Sequence, residues 1–209
     1  MSELTALRIY LLFWGCLTLA VRTVFVRRGV RRKAQEGGTT INPHPLVIGS
    51  MALWIILITG FTAMPEFFLD RRFMIFHPVP IALQIVGMTG LAVSLWLFLK
   101  AHRALGEFYG VKLFVKESHK VVDTGPYAYI RHPMYTIYMS WIASTFFFLP
   151  HYLVPALWLM ALAGFPLMAG REERMLGKEL GEPYATYLTR TGMFLPRWGI
   201  SEKNSAKNL

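Results

Sequence analysis

Five apolar segments separated by polar connections set the pattern of the chain. They cover residues 4–26, 46–64, 81–99, 133–149 and 153–168. The first three are close to the roughly 20 residues that a helix needs to cross the hydrocarbon core of a bilayer. The last two are shorter and follow each other closely, which predicts a helical hairpin. We therefore expect an all-α integral membrane protein with about five transmembrane helices, in a single multi-pass domain over residues 1–209.

Composition points to the same class. Hydrophobic residues make up 54% of the chain and charged residues only 16%, whereas a soluble domain carries about 25% charged residues. The only cysteine, Cys16, lies inside an apolar segment. A disulfide framework and a thiolate metal site are therefore excluded, and no metal site is predicted.

The net charge of +10 is distributed between the apolar segments. Basic residues cluster directly after the first segment, at 27–33, and again in the connection 100–132. By the positive-inside rule, this places the amino terminus outside and the carboxyl terminus in the cytoplasm. We expect a prokaryotic inner-membrane protein whose surroundings are lipid. A nucleic-acid partner is not expected, because no separate basic domain is present.

The long connection 100–132 is rich in aromatic and apolar residues. This composition is not typical of a disordered linker, so it predicts ordered structure that lines a site. For residues 105–115 alone, an amphipathic segment lying on the bilayer surface is an equally good interpretation.

Residues 123–135, which read DTGPYAYIRHPMY, concentrate more polar chemistry than any other stretch. Gly125 and Pro126 form a turn signal, and Pro133 suits the first turn of a helix. Arg131 and His132 are therefore expected at the entrance of the next apolar helix. The alternative is that they only anchor the helix at the membrane interface.

A second polar stretch, REERMLGKEL at 171–180, directly follows the last apolar segment. Its helical spacing continues to about residue 188 and stops near Gly192. Glu172 and Glu173 are candidate site residues. The alternative is a solvated helix face on which they pair with neighbouring basic residues, Arg171, Arg174 or Lys178.

The order of these features resembles the isoprenylcysteine carboxyl methyltransferase family, whose wider group includes the phospholipid methyltransferases. The resemblance covers roughly the last hundred residues. It rests on an ordered set of a histidine, a GPY turn, an RHPMY motif, an apolar hairpin, a glutamate pair and a GxxYxxY motif. In this chain these are His119, Gly125–Tyr127, Arg131–Tyr135, residues 133–168, Glu172 with Glu173, and Gly181, Tyr184 and Tyr187.

The resemblance implies an enzyme that uses S-adenosylmethionine to methylate a lipophilic acceptor, either an isoprenylcysteine carboxylate or another lipid or small apolar molecule. The cofactor would be held by residues 100–135 together with 171–198, on the cytoplasmic side. The implied cofactor residues are His119, Val121, Val122, Gly125, Tyr127, Arg131, His132, Tyr135, Glu172 and Glu173. The implied catalytic residues are Glu172, Arg131 and Arg171.

These residue types suit the cofactor. A carboxylate such as Glu172 accepts hydrogen bonds from ribose hydroxyls or an amino group, and Arg131 pairs with a carboxylate. Tyrosine rings offer faces to adenine or to the sulfonium cation.

Two positions depart from the family pattern. Many members have a glycine where this chain has Ile137. The isoleucine side chain restricts close approach of another group to the backbone at the start of this helix. Members also carry an arginine about one turn before the glutamate pair, where this chain has Leu167, Met168 and Ala169. The nearest arginine is Arg171, which we expect to take its place.

Two other functions are compatible with the sequence. A membrane reductase of the sterol-reductase type would use NADPH in a similar cytoplasmic pocket, although the chain has no GxGxxG motif. The second is a non-catalytic scaffold or transport component, which is favoured by the presence of Ile137 in place of glycine. The sequence does not predict the acceptor or the oligomeric state.

Overall fold

Helices dominate the part of the chain that the computed structural model describes, residues 3–33, 39–106, 113–115 and 121–197. The seven α-helices in these ranges are α1 (Glu3–Lys33), α2 (Pro45–Ala63), α3 (Pro65–Phe68), α4 (Ile81–Leu105), α5 (Pro133–Phe148), α6 (Leu153–Leu180) and α7 (Glu182–Arg190). Two short antiparallel strands, β1 (Thr39–Ile41) and β2 (Leu113–Val115), join the connections that precede α2 and follow α4. A 3-10 turn covers Gly125–Ala128.

Four helices of the described chain are long and apolar enough to cross a membrane: Glu3–Phe25 of α1, then α2, α4 and α6. The prediction of an all-α integral membrane fold is confirmed. The fifth predicted segment, 133–149, forms α5, which has 16 residues. A helix of this length spans about 24 Å, less than the roughly 30 Å of the hydrocarbon core. It packs between α4 and α6 and starts at the site described below.

The last long helix extends beyond the predicted apolar segment 153–168. Helix α6 continues without a break to Leu180, so Glu172 and Glu173 lie on the same helix as the apolar segment. Gly181 then ends α6 with a φ of +60° and starts α7, a backbone conformation that glycine adopts without strain. The helical spacing predicted up to residue 188 is therefore divided between two helices.

The bundle has two distinct ends. At one end the Nε atom of Arg8 donates to the carbonyl oxygen of Thr62, at 2.8 Å, which ties the start of α1 to the end of α2. At the other end the ring of Phe25 lies 4.8 Å from the ring of His102, between the ends of α1 and α4. The starts of α2 and α5 and the end of α6 also lie at this second end, which we call the site end. That the site end faces the cytoplasm stays a prediction.

Two glycines of α4 allow α5 to approach closely. A Cβ atom on Gly87 would lie 2.7 Å from the carbonyl oxygen of Ser144 and 2.8 Å from the Phe148 ring. A Cβ atom on Gly90 would lie 2.5 Å from the Ser144 hydroxyl. The contact between α4 and α5 therefore depends on the absence of side chains at these positions.

We expect Gly87→Ala to lower the stability of the folded protein by about 1–3 kcal/mol, because the added methyl group must push the α5 backbone away. Gly170→Ala is the matched control, since nothing lies within 4 Å of a Cβ atom at that position of α6. Thermal unfolding of the two variants in detergent measures the difference. Equal midpoints would contradict the close packing of α4 against α5.

Candidate active site

The main chain of the RHP motif is held by the segment that follows α7. The backbone N–H of Arg131 donates to the carbonyl oxygen of Gly192 at 2.8 Å, and that of His132 donates to Met193 at 3.0 Å. His132 is the residue that precedes α5, and Pro133 occupies the first turn of the helix. The start of α5 is therefore fixed by hydrogen bonds to a remote part of the chain.

The imidazole of His132 lies between the two glutamates of α6. Its Nδ1 is 3.3 Å from Oε2 of Glu172, and its Nε2 is 3.1 Å from Oε1 of Glu173. The His132 side chain is only 6% exposed, and the glutamate side chains are 12% and 17% exposed. The start of α5 and the end of α6 are thus joined through one histidine and two carboxylates.

This arrangement favours the protonated histidine. Carboxylate oxygens only accept hydrogen bonds, so both ring nitrogens are satisfied together only when both carry a proton. Burial lowers the pKa of His132, but the hydrogen bonds and charges of Glu172 and Glu173 outweigh burial and raise the pKa above its ordinary value. The surroundings of His132 therefore favour its cationic form between the two carboxylates.

Each glutamate has a further partner at the start of α5. The hydroxyl of Tyr135 donates to Oε1 of Glu172, and Nε of Arg131 donates to Oε1 of Glu173 at 2.7 Å. Nη1 of Arg131 also donates to the carbonyl oxygens of Leu188 and Thr191. The partners of the two glutamates thus lie on α5 or in the two residues before it. The alternative pairing with basic residues of α6 is not found among the described residues.

A cavity of about 820 Å³ opens from this cluster into the bundle. Its site end includes Arg131, His132, Tyr135 and Glu172. Its remaining wall is mostly apolar and comes largely from α1, α2 and α5, with further residues from α6 and α7. The volume is within the range of about 300–1,000 Å³ that ligand sites occupy. A polar, charged end and an apolar body are therefore combined in one cavity.

Tyrosines of α7 and of the 3-10 turn complete the site end. Tyr127, Tyr184 and Tyr187 all line the cavity, and the Tyr187 hydroxyl donates to the carbonyl oxygen of Tyr127 at 2.7 Å. Burial raises the pKa of Tyr187 to about 12, so its phenol stays neutral. These rings hold the GPY turn and α7 together around the cavity.

Comparison with protein families gives one match. Residues 85–177, just under half of the chain, match the isoprenylcysteine carboxyl methyltransferase (ICMT) family. This part of the chain is similar to the ICMT family. A comparison with curated protein sequences found no match. The similarity indicates a membrane methyltransferase, and the matched region contains the RHP motif and both glutamates.

The predicted cofactor residues differ in whether they line the cavity. Val121 and Val122 join the wall, together with the residues of the site end. Gly125 has a φ of +58°, and a Cβ atom there would lie 3.3 Å from Cβ of Ala104, so the turn packs against the end of α4. Glu173 contacts His132 and Arg131 and is not among the described residues that line the cavity. His119 lies outside the described residues.

Arg171 and Ile137 are not among the described residues that line the cavity. Arg171 is exposed. Ile137 is 2% exposed and packs in the hydrophobic core. Of the three residues that stand where members carry an arginine, Met168 lines the cavity. A catalytic role of Arg171 stays a prediction.

Several wall residues were not predicted from the sequence. Tyr138 and Trp141 follow Tyr135 at three-residue steps on α5, and all three line the cavity. The spacing i, i+3, i+6 places side chains along one side of a helix, so this signal was present in the sequence. Arg22 of α1 also lines the cavity. It adds a second guanidinium to the wall.

No group of three or more His, Cys, Asp and Glu side chains that could hold a metal ion is found within residues 3–33, 39–106, 113–115 and 121–197.

Proposed function

We propose that this protein transfers a methyl group from S-adenosylmethionine to a lipophilic acceptor within the membrane. One observation carries the proposal: a single cavity joins the His132–Glu172–Tyr135 cluster to an apolar wall formed by transmembrane helices. Charged and aromatic groups suit a polar cofactor, whereas the apolar wall suits a lipid chain. The similarity of residues 85–177 to the ICMT family supports the same reaction type.

The residues at the site end fit the cofactor. Glu172 has carboxylate oxygens in the cavity wall that can accept hydrogen bonds from hydroxyl or amino groups. The rings of Tyr127, Tyr184 and Tyr187 provide aromatic faces for a base or a cation. S-adenosylmethionine, when bound, supplies a methyl group on a sulfonium, which is a good leaving group.

The chain itself has to position and shield the reacting groups. His132 and Tyr135 fix the carboxylate of Glu172 from two sides, so its orientation is set before a ligand binds. The apolar wall excludes water from the cavity. Where the acceptor is an amine or a hydroxyl, Glu172 takes up its proton.

The acceptor reaches the cavity from the bilayer in this proposal. Leu12 and Leu19 of α1 and Ile48 and Ile55 of α2 line the cavity and are exposed. We infer that these apolar side chains meet lipid in a membrane, so that a hydrocarbon chain passes between α1 and α2 without crossing water. Arg22, on the same wall, offers a cation to an acidic head group.

Ligand binding to the detergent-purified protein tests the cofactor. We expect saturable binding of S-adenosylmethionine and S-adenosylhomocysteine by calorimetry, and no binding of NADPH. Binding of NADPH alone would replace the proposal by a reductase of the sterol-reductase type. Binding of none of the three would favour the non-catalytic scaffold.

A further inference from the structure

Arg22 is the one charged side chain that α1 contributes to the described part of the cavity wall. The residue is exposed, so a ligand in the cavity can reach it. Phe25, three residues further along α1, contacts His102 at the site end, which places Arg22 about one helical turn inside that end. Arg22 therefore lies within the apolar segment Glu3–Phe25, where a guanidinium is costly and usually serves a function.

The charges around the cavity leave Arg22 without a compensating anion. Arg131 and His132 contact Glu172 and Glu173, so the cations and the carboxylates of that cluster balance each other. Glu172 is the only carboxylate in the described part of the wall. Among the side chains that the structure describes, no carboxylate forms an ion pair with Arg22. The electrostatic complement of this wall is therefore an anion at Arg22.

An apolar stripe of α1 leads away from Arg22. Leu12, Gly15 and Leu19 line the cavity at spacings of three and four residues, which places them on the same side of the helix as Arg22. The ten residues from Leu12 to Arg22 span about 15 Å. This length equals one leaflet, half of the roughly 30 Å hydrocarbon core.

Helix α2 contributes further apolar side chains to the same cavity. It runs antiparallel to α1, and its residues Ile48, Ala52 and Ile55 line the cavity at spacings of four and three. A Cβ atom on Gly15 of α1 would have nothing within 4 Å of it. The stripe of α1 is therefore open at its middle, with room for a hydrocarbon chain beside it.

A cation at one end of an apolar stripe of this length matches the outline of an acidic lipid. We propose that the methyl acceptor is an anionic lipid whose carboxylate or phosphate binds Arg22 and whose hydrocarbon chain follows α1 toward Leu12. Arg131 is already engaged, because it donates to Glu173 and to the carbonyl oxygen of Leu188. Arg22 is then the residue that selects the head group of the acceptor. This inference rests on the proposed function, since it assigns the acceptor of that reaction.

Competition binding with probes of one chain length tests the selection and needs no methyl transfer. Hexadecanoic acid and hexadecyl phosphate carry an anion, hexadecanol is neutral and hexadecylamine carries a cation. Each competes with tritiated hexadecanol for protein in a non-ionic detergent near neutral pH. We expect the two anions to compete about tenfold to a hundredfold better than hexadecanol, the usual gain of hydrogen bonds to a charged group. Hexadecylamine should show no such gain, and inorganic phosphate, which has no chain, should not displace the tracer.

Variants of Arg22 assign the preference to its guanidinium. Arg22→Gln should abolish the preference for anions while hexadecanol still binds. Arg22→Lys keeps the charge but not the planar fork of donors, so it should retain part of the preference. Arg27→Gln is the matched control and should keep the full preference, because Arg27 is also an exposed arginine of α1 but is not among the described residues that line the cavity.

A variant of Gly15 tests the position of the chain. Gly15 lies seven residues, or about 10 Å, before Arg22 on α1. Gly15→Leu should therefore abolish the binding of hexadecyl phosphate and leave that of hexyl phosphate unchanged, as measured by calorimetry. Gly177→Leu is the control, because a Cβ atom there also meets nothing within 4 Å and Gly177 is not among the described residues of the wall.

Equal competition by anions and hexadecanol would overturn the inference and would mean that Arg22 only reaches the membrane interface. A preference for anions that survives in Arg22→Gln, or displacement of the tracer by inorganic phosphate, would overturn it as well. Weaker binding of S-adenosylhomocysteine in Arg22→Gln, with the lipid preference intact, would assign Arg22 to the carboxylate of the cofactor instead. Failure of the proposed function would appear as absent binding of S-adenosylhomocysteine to the wild type, so the two failures are distinguishable.

Discussion

Glu172→Gln is expected to weaken S-adenosylhomocysteine binding by about tenfold to a hundredfold, the usual effect of losing a hydrogen bond to a charged group. Methyl transfer should fall by at least about a hundredfold, because the amide cannot take up a proton. The change keeps the size of the side chain, but it places an amide beside the Tyr135 hydroxyl and the His132 imidazole. Calorimetry measures the first effect. Transfer of tritium from labelled S-adenosylmethionine to phosphatidylethanolamine, an amine acceptor, measures the second.

Glu179→Gln is the matched control for this prediction. Glu179 lies on the same helix but is exposed and is not part of the cavity wall as described. Its replacement should leave cofactor affinity and transfer unchanged. Unchanged affinity in Glu172→Gln would remove Glu172 from the cofactor site, whatever the identity of the acceptor.

The membrane fold could be predicted because hydrophobic length is a local property of the sequence. Segments 46–64 and 81–99 correspond closely to α2 and α4. Helix α6 was harder to delimit, because its apolar segment ends near residue 168 while its polar part keeps helical spacing to Leu180. Hydropathy reports which part of a helix lies in lipid, and it does not report where the helix ends.

The cluster around His132 shows a different limit of sequence reasoning. Proline after His132 and the order of motifs indicated that Arg131, His132 and the glutamates belong to one site. They did not indicate that His132 would contact both carboxylates, or that Arg131 would donate to carbonyl oxygens near the end of α7. Such pairings depend on how α5, α6 and α7 pack, which no short segment encodes.

The inner end of the cavity depends on the same kind of information. Trp14, Trp54 and Trp141 are far apart in sequence and meet only because α1, α2 and α5 pack together. Two of them lie outside the region that matches the ICMT family, residues 85–177. The part of the wall that α1 and α2 contribute therefore lies outside the similarity to the ICMT family, although it contacts the acceptor in our proposal.

His132→Ala is expected to lower the stability of the protein by about 3 kcal/mol, because removing one partner of a buried ion pair leaves the other charges uncompensated. For a chain of this size, this corresponds to a decrease of about 6–12 °C in the unfolding midpoint. The carboxylates of Glu172 and Glu173 would face each other without the imidazole between them. The hydrogen bonds from Tyr135 and Arg131 would remain. Binding of S-adenosylhomocysteine should be lost as well, because Glu172 loses one of the groups that orient it.

The pH dependence separates the charge of His132 from its bulk. Because the folded-state pKa of His132 is raised, its stabilising effect is fully present below the unfolded-state pKa of about 6.5. The effect is lost as the pH rises through the higher folded-state value. The stability difference between the wild type and His132→Gln should therefore be largest in mildly acidic solution and shrink in alkaline solution.

His151→Gln is the control. Because burial lowers the pKa of His151, the stability difference between the wild type and His151→Gln should not decrease above pH 7. A difference for His132→Gln that stays constant with pH would mean that His132 is neutral and acts only through packing and hydrogen bonds.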